Sequence, residues 1–274
     1  EDLWCQGFSE PAAGSDLGNL GCRAVLDGDE WIINGQKTWN TGGHMANHIF
    51  VLARTAPDEV KHRGITFLLV DMRQPGVEVR PIRMMSGDSE FNEVFFTDAR
   101  CPKDSVVGEV NGGWMVTMTL LGNERGAGAA INAIGFRAEL DKLIALAREK
   151  GVTDDPVIRQ RLAVAYTKVE VMRFLGYSAL TAFLNGKKPG PDASIGKLFW
   201  AEYHKEVTEL AVDILGADAL TPSGKPALTY LRSDAVGSPN SSASWVDVFL
   251  NARTGSIYAG SSPVQRGIVG EQIL

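Results

Sequence analysis

The sequence predicts an α+β chain in which a β domain over residues 1–110 is followed by a bundle of antiparallel helices over residues 111–274. Short runs of Val, Ile, Phe and Leu, separated by turn-forming residues, fill the first part and are typical of an antiparallel, barrel-like sheet. After residue 113 the apolar spacing changes to the i, i+3, i+4, i+7 period of long helices. The order of these two patterns indicates two successive layers of different architecture.

The β domain is predicted from strand-like runs and from one dipeptide. Asn34–Gly35 lies between apolar runs, and Asn-Gly in that context predicts a hairpin turn. No β-α-β alternation and no G-x-G-x-x-G stretch accompany these runs, which argues against a doubly wound nucleotide fold. The predicted strands are Ile49–Ala53, Ile65–Asp71, Val77–Ile82 and Val94–Thr97.

The helical part is predicted to be an up-down bundle. Pro156 follows two aspartates and is well placed in the first turn of a helix, and Gly216 ends another. The stretch Thr221–Ser244 is rich in Pro, Gly and Ser and predicts a loop. The predicted helices are Trp114–Lys150, Pro156 to about Asn185, Ala193–Leu215, Trp245–Arg253 and Ser262–Leu274.

Composition narrows the functional class. The net charge of −6 argues against nucleic-acid binding, which needs a basic face. No apolar run approaches the ~20 residues of a membrane span. Three widely spaced cysteines without a C-x-x-C pair indicate reduced thiols, so we expect a cytoplasmic chain. His44 and His48 are spaced i, i+4 but lack the glutamate of H-E-x-x-H, so no metal site is predicted.

Three stretches resemble the acyl-CoA dehydrogenase family, in that family's order and rough separations. They are SEPAAGSD (Ser9–Asp16), NGQKTWNTGG (Asn34–Gly43) and IYAGSSPVQR (Ile257–Arg266). The resemblance covers the family's middle β-barrel-like domain and its C-terminal helical domain. The family's N-terminal helical domain has no counterpart, and the chain starts without Met, so we expect a piece of a longer bacterial protein.

The resemblance implies an FAD enzyme that oxidises acyl-CoA thioesters to trans-2-enoyl-CoA. A carboxylate removes the α proton, a β hydride passes to flavin N5, and an electron-transferring flavoprotein takes the electrons. Members are dimers or tetramers, so the resemblance implies a homotetramer or a hetero-oligomer of two related chains.

The first two stretches are similar to the family's flavin site. By resemblance, Gln6, Phe8 and Ser9 line the flavin through backbone groups, and Ser15 lies near the flavin phosphate and the thioester. Trp39 packs against the ring and Thr41 lies at its pyrimidine edge. The alternatives are an ordinary Ser/Gly turn and a tryptophan of the strand core.

The third stretch departs from many family members, whose base is a glutamate after the tyrosine. Here Ala259 follows Tyr258 and cannot accept a proton. By resemblance, its backbone N–H still serves the thioester carbonyl as an oxyanion donor. Gly260 and Ser261 then approach the thioester and the flavin, beside Tyr258 on the substrate side.

Some branches, the isovaleryl- and long-chain-type enzymes among them, carry the base on the first long C-terminal helix. Glu124 aligns with that position and Arg125 with the arginine after it. Glu124 is the single acid between Gly112 and Ala130, and a carboxylate desolvated by an acyl chain has a raised pKa suited to α-proton removal. The alternative is a structural charge pair of Glu124 with Arg125, and Arg125 could instead contact CoA or a neighbouring subunit.

Other positions depart from the family's FAD-binding stretches. The F-G of one stretch is absent from REKGVTDDP (Arg148–Pro156), Asp213 stands where Gln is usual, and Pro263 replaces the usual Gln or Glu. An Asp near the FAD pyrophosphate would repel it. Two alternatives to the dehydrogenase therefore stay open: a non-catalytic partner subunit of a hetero-oligomer, and an acyl-CoA oxidase or flavin monooxygenase of the same fold.

Overall fold

The computed structural model describes residues 1–186, 192–227 and 240–273, with side chains except those of 123–131, 192, 272 and 273. The chain divides into two compact units, a β unit of residues 1–121 and a helical unit of residues 122–274. Helix α1, Gly113–Glu149, begins in the β unit and continues into the helical unit.

The β unit is one seven-stranded sheet with the order β1-β4-β2-β3-β7-β6, in which β5 also pairs with β4. Most pairs are antiparallel, as predicted, but β4 is parallel to both β1 and β2. The strands are β1 Trp4–Gly7, β2 Arg23–Asp27, β3 Glu30–Lys37, β4 His48–Arg54, β5 Ile65–Asp71, β6 Val77–Pro81 and β7 Asn92–Pro102.

The hairpin turn predicted at Asn34–Gly35 is wrong, because β3 runs straight through it. The chain turns instead between Asp27 and Glu30, where Gly28 has φ +62°. At Gly35 the register with β7 shifts in a bulge, and an added Cβ there would lie 2.7 Å from the Cα of Cys22. Asn34 donates to Asp98 and accepts from its N–H, both at 2.9 Å. The Asn-Gly pair therefore serves a β-bulge.

Strands β1 and β2 were not predicted because their local pattern is weak. In β1 only four residues pair, and their partner is β4, more than forty residues away. In β2 only Ala24 is buried. The apolar runs of β4 and β5 were predicted because both faces of these strands are covered. Ile49 and Val51 face one core cluster while Leu52 and Ile65 face another.

The helical unit follows the predicted order of helices. Asp155 caps α2, since its carboxylate accepts from the N–H groups of Val157 and Ile158 at 2.8 and 3.2 Å. Gly216, at φ +55°, follows the end of α3. Of the predicted loop, residues 228–239 lie outside the described part, and Ser242–Ser244 belong to α4. The helices are α2 Pro156–Leu184, α3 Asp192–Leu215, α4 Ser242–Ala252 and α5 Ser262–Ile273.

The core of the helical unit is formed by α1, α2, α3 and α4. Leu140 and Leu143 of α1 pack with Tyr203 and Leu210 of α3 around Trp245 of α4, all of them almost fully buried. Among the described residues, no helix is long and apolar enough to cross a membrane.

Candidate functional site

The SEPAAGSD stretch forms a tight turn held by a buried ion pair. Glu10 and Ala13 exchange two backbone hydrogen bonds, at 2.9 and 3.1 Å. The Glu10 carboxylate accepts from Lys37 at 2.7 Å and from the N–H groups of Gly21 and Cys22. Lys37 is fully buried, so its charge is matched where water cannot reach it. The turn is thereby fixed to strand β3.

Of the residues predicted to line a flavin here, one is exposed and the others are partly or fully enclosed. Ser15 is exposed, whereas the Phe8 side chain is buried against Phe50 and Phe67. The carbonyl oxygens of Gln6, Phe8 and Ser9 each accept a hydrogen bond within the β unit. The Phe8 side chain is therefore enclosed, and a contact of Phe8 with a flavin through its backbone stays a prediction.

The second predicted stretch lies beside the first. The Thr38 N–H donates to the Ser9 carbonyl at 2.9 Å, and the Asn40 amide donates to the Gln6 carbonyl at 2.5 Å. These bonds join the segment after β1 to residues 38–43, which we call the Trp39 loop. The structure thus brings together two stretches that are about thirty residues apart in sequence.

Trp39 adopts a conformation that is unusual for a bulky residue. Its φ is +63°, and its side chain is 58% exposed and makes an edge contact with the Phe91 ring at 5.9 Å between centroids. Thr41 is exposed in the same loop. A large aromatic residue at positive φ is rare and is retained where surrounding structure enforces it. Trp39 is not a residue of the strand core.

The Trp39 loop is enforced by two fully buried asparagines that sequence reasoning missed. The Asn92 amide donates to the carbonyls of Asn40 and Glu90, both at 2.9 Å, while the Asn92 carbonyl accepts from the Asn40 N–H at 2.9 Å. Within the β unit, the side-chain oxygens of Asn40 and Asn92 are buried without a donor. The available signal was an amide directly after Trp39, at a position that would otherwise suit an apolar residue.

Glu90 is the perturbed acid next to this loop. Its backbone carbonyl accepts from Gly42 N–H at 2.9 Å. Burial, followed by repulsion from Asp88, raises the pKa of its carboxyl to about 7. The Trp39 loop therefore borders a group that changes charge near neutral pH.

The third predicted stretch forms the segment of residues 257–261, which we call the Ala259 loop, just before α5. Ala259 is exposed and has φ +52°, and Gly260 follows with φ +88°. Among the described residues, the N–H groups of Ala259, Gly260 and Ser261 have no hydrogen-bond acceptor. Successive unpaired N–H groups in such a conformation form a site for an anion or a polarised carbonyl oxygen.

Tyr258 anchors the start of the Ala259 loop. Its N–H donates to the Thr254 carbonyl at 3.1 Å, and its ring lies against Trp200 of α3 at 6.2 Å between centroids. Burial raises the pKa of the Tyr258 phenol to about 12, so the hydroxyl stays protonated at neutral pH and can only donate or accept a hydrogen bond.

Glu124 and Arg125 lie in the unbroken helix α1, but their side chains fall outside the described residues. Their roles as base and substrate-binding residue stay predictions. Asp213, the suspected departure near a pyrophosphate, accepts from Arg161 at 2.5 Å. Its charge therefore already has a partner within the helical unit.

Comparison with known proteins decides the family. The sequence model of the acyl-CoA dehydrogenase middle domain matches residues 5–99, and that of the acyl-CoA dehydrogenase C-terminal domain matches residues 111–274. The chain belongs to the acyl-CoA dehydrogenase family. Its sheet and helical unit are the two domains of that family which the sequence predicted.

Several acyl-CoA dehydrogenases are similar along the whole chain. Acyl-CoA dehydrogenase IpdE1 of Mycobacterium tuberculosis is 42% identical over 100% of this chain and 66% of its own length. The solved Tcur3481-Tcur3483 steroid ACAD is 32% identical, with a TM-score of 0.84 over 98% of this chain and 67% of that one. The ChsE4-ChsE5 complex from Mycobacterium tuberculosis is 28% identical, with a TM-score of 0.80 over 99% and 68%. The chain thus spans about two thirds of the length of these relatives.

Proposed function

We propose that this chain carries the flavin-binding and thioester-binding domains of an FAD-dependent acyl-CoA dehydrogenase that forms trans-2-enoyl-CoA. The observation that carries the proposal is the exposed indole of Trp39, held at positive φ in a chain that matches the family over both domains. A protein tolerates an exposed and strained aromatic residue where a ligand uses it.

The residues of the β unit suit FAD. Trp39 offers a broad aromatic face, Thr41 and Ser15 offer exposed hydroxyls, and the segment Gln6–Ser9 offers backbone groups at the side of the same loop. Small side chains in SEPAAGSD allow close approach of a ring or a phosphate. FAD, when bound, supplies the acceptor for the substrate's β hydride.

The helical unit supplies residues for the thioester. We assign the Ala259 N–H as donor to the thioester carbonyl, with Gly260 and Tyr258 beside it and Ser261 toward the flavin. A donor aimed at that oxygen stabilises the charge that develops when the α proton leaves. Glu124 is the proposed base and Arg125 a proposed contact to substrate.

The substrate is an acyl-CoA ester, and the relatives favour including bulky ones. One similar structure is described as a steroid ACAD, which supports testing polycyclic acyl groups beside linear ones. An electron-transferring flavoprotein is the proposed electron acceptor.

A partner subunit of a hetero-oligomer is the second candidate. Ala259 lacks the carboxylate that many members carry, and one similar structure is of a complex of two named chains, ChsE4 and ChsE5. Under this hypothesis the chain would hold its fold and contribute part of a site completed by a related chain.

Anaerobic titration of the purified holoprotein tests both candidates. We expect loss of the oxidised flavin absorbance on addition of short, long, branched and polycyclic acyl-CoA esters, with a preference among them. Fast production of hydrogen peroxide in air would identify an oxidase instead. A protein that binds flavin but is bleached only after a second subunit is added would favour the partner subunit.

A further inference from the structure

Two buried side chains donate hydrogen bonds to backbone carbonyl oxygens of the Ala259 loop. Lys197 of α3 donates to the Gly260 carbonyl at 2.9 Å. Gln265 of α5 donates to the Ala259 carbonyl at 2.8 Å and to the Gly260 carbonyl at 3.3 Å. Lys197 is 5% exposed and Gln265 is fully buried. The Gly260 carbonyl thus accepts from both side chains, and the preceding carbonyl, that of Ala259, accepts from Gln265.

A second residue of α3, Trp200, also packs against the Ala259 loop and the turn before it. Trp200, one turn after Lys197, lies against the Tyr258 ring, and a Cβ added at Gly255 would lie 3.4 Å from the Trp200 ring. A Cβ added at Gly260 would lie 2.4 Å from the Gln265 amide nitrogen, so the loop is packed directly on its holders. The Ala259 loop is therefore packed against helix α3 and supported by it.

These contacts explain how an alanine keeps a left-handed conformation. A Cβ makes φ near +52° unfavourable for Ala259, so an isolated loop would leave that conformation. The hydrogen bonds to the carbonyls of Ala259 and Gly260 fix the orientation of both peptide planes. Because a peptide group is planar, holding those oxygens also fixes the N–H groups of Gly260 and Ser261 on the opposite side.

The ammonium group of Lys197 has a second effect, which is to polarise the peptide group that it contacts. A donor on the carbonyl side of a peptide group polarises it and strengthens its N–H as a donor, and a charged donor does so more than a neutral one. Lys197 acts in this way on the Gly260–Ser261 peptide group. Burying an ammonium group is unfavourable unless its hydrogen bonds are made, and here one of those bonds is made to the loop.

We propose that Lys197 and Gln265 are positioning residues, which hold the Ala259–Gly260 and Gly260–Ser261 peptide groups. Because the Tyr258 N–H is held on the other side by the Thr254 carbonyl, Ala259 is kept at positive φ and its own N–H stays aimed at the thioester carbonyl oxygen of an acyl-CoA. This inference rests on the proposed function and extends it to residues that do not touch the substrate. The lock, and not the side chain at position 259, then determines whether the donor points correctly.

The test is the infrared stretch of a ¹³C-labelled thioester carbonyl in a non-reactive acyl-CoA analogue bound to the holoprotein. In the wild type we expect the stretch to move to lower frequency on binding. In Lys197→Met and Gln265→Leu we expect that shift to fall by at least about half, with kcat lowered about tenfold to a hundredfold and KM changed less than about threefold. Lys197→Arg, which keeps a cationic donor, should restore part of the shift.

Lys205→Met is the matched control, because Lys205 lies on the same helix and its side chain pairs with Glu202, which is exposed at the surface. We expect a wild-type shift and wild-type kcat for it. A full carbonyl shift in both Lys197→Met and Gln265→Leu would overturn the inference while leaving the proposed function standing. If Lys197→Met fails to fold, Gln265→Leu alone decides the question in the same way. Absence of any shift or bleaching in the wild type would overturn the proposed function, and this inference with it.

Discussion

The Trp39 loop and the Ala259 loop use the same backbone device for different purposes. Each holds a residue with a side chain at positive φ, +63° for Trp39 and +52° for Ala259, at a cost of roughly 1–2 kcal/mol. The Trp39 loop is held by the neutral amides of Asn40 and Asn92. The Ala259 loop is held by a buried cation and an amide.

The difference reflects which part of the residue is used. At Trp39 the proposed functional part is the side chain, so the loop has to present a particular ring. At Ala259 the proposed functional part is the backbone N–H, so the side chain is free to vary as long as the peptide planes are held. This contrast explains how a chain with alanine at position 259 can keep the proposed oxyanion donor without an acidic side chain there.

The largest effect is expected on the rate of flavin bleaching when the proposed base, Glu124, is replaced, since Glu124 belongs to neither loop. Because neither loop carries an acid at its tip, Glu124→Gln should retain FAD but slow bleaching by acyl-CoA by roughly two to four orders of magnitude. Stopped-flow absorbance under anaerobic conditions measures it. Glu149→Gln, at the exposed end of the same helix, is the control and should bleach normally. Normal bleaching by Glu124→Gln would remove it as the base.

The next largest effect is expected from removing the hydrogen bonds that hold the Trp39 loop. Asn92→Ala removes donors to two carbonyls in a fully buried position, so the free energy of unfolding should fall by about 2–3 kcal/mol. Urea denaturation measures the change. Asn34→Ala loses two bonds of an exposed amide, and we expect less than about 1 kcal/mol. Equal losses in the two variants would contradict the assigned role.

Removing the presented ring separates binding from stability. Trp39→Ala should weaken FAD binding about tenfold to a hundredfold, as expected for the loss of an aromatic stacking surface, while the melting temperature of the flavin-free protein hardly changes. Fluorescence titration with FAD measures the affinity. Trp4→Ala removes another exposed tryptophan of the β unit and should leave FAD affinity unchanged. Unchanged affinity in Trp39→Ala would refute the proposed contact.

A smaller effect is expected from relieving the strain at Ala259. Glycine has no Cβ to oppose a positive φ, so Ala259→Gly should raise the free energy of unfolding by up to about 1 kcal/mol. The same change at the exposed helical position Ala163 should lower it by roughly 1 kcal/mol. Thermal denaturation of both variants gives the two signs. A loss of stability at both positions would argue against a locked left-handed Ala259.

The smallest effect is expected on the pH dependence of protein stability, through Glu90, which lies beside the Trp39 loop. Because burial raises the pKa of Glu90 to about 7 from its ordinary value of 4.5, the folded protein holds a proton between these two pH values that the unfolded chain has lost. Glu90 therefore lowers stability as pH rises from about 4.5 to 7, and no further above that. In Glu90→Gln the melting temperature should fall less across this range. Glu109→Gln, an exposed acid of the β unit, should behave like the wild type.

The strands and helices that could be predicted are those with strong local patterns. Strands β4 and β5 are covered on both faces and are almost continuously apolar, and α2 begins at an Asp–Pro pair that caps it. Strand β1 could not be predicted because its partner β4 is distant in sequence, and β2 could not be predicted because only Ala24 of it is buried, which leaves no apolar pattern. Asn34–Gly35 carried a real backbone signal, but the bulge opposite β7 uses it and not a turn.

The sequence by itself determined the family, the succession of a β domain and a helical domain, and the position of the missing acid, because these follow from local patterns and from the three motifs that resemble the family. The tertiary structure alone decided that Trp39 and Ala259 are both held at positive φ, and by which groups. Asn92 and Lys197 look unremarkable in the sequence, since they bind carbonyl oxygens 52 and 63 residues away, which become neighbours only after folding. Gln265 binds carbonyl oxygens only six and five residues away, but their orientation depends on the left-handed conformation of the Ala259 loop.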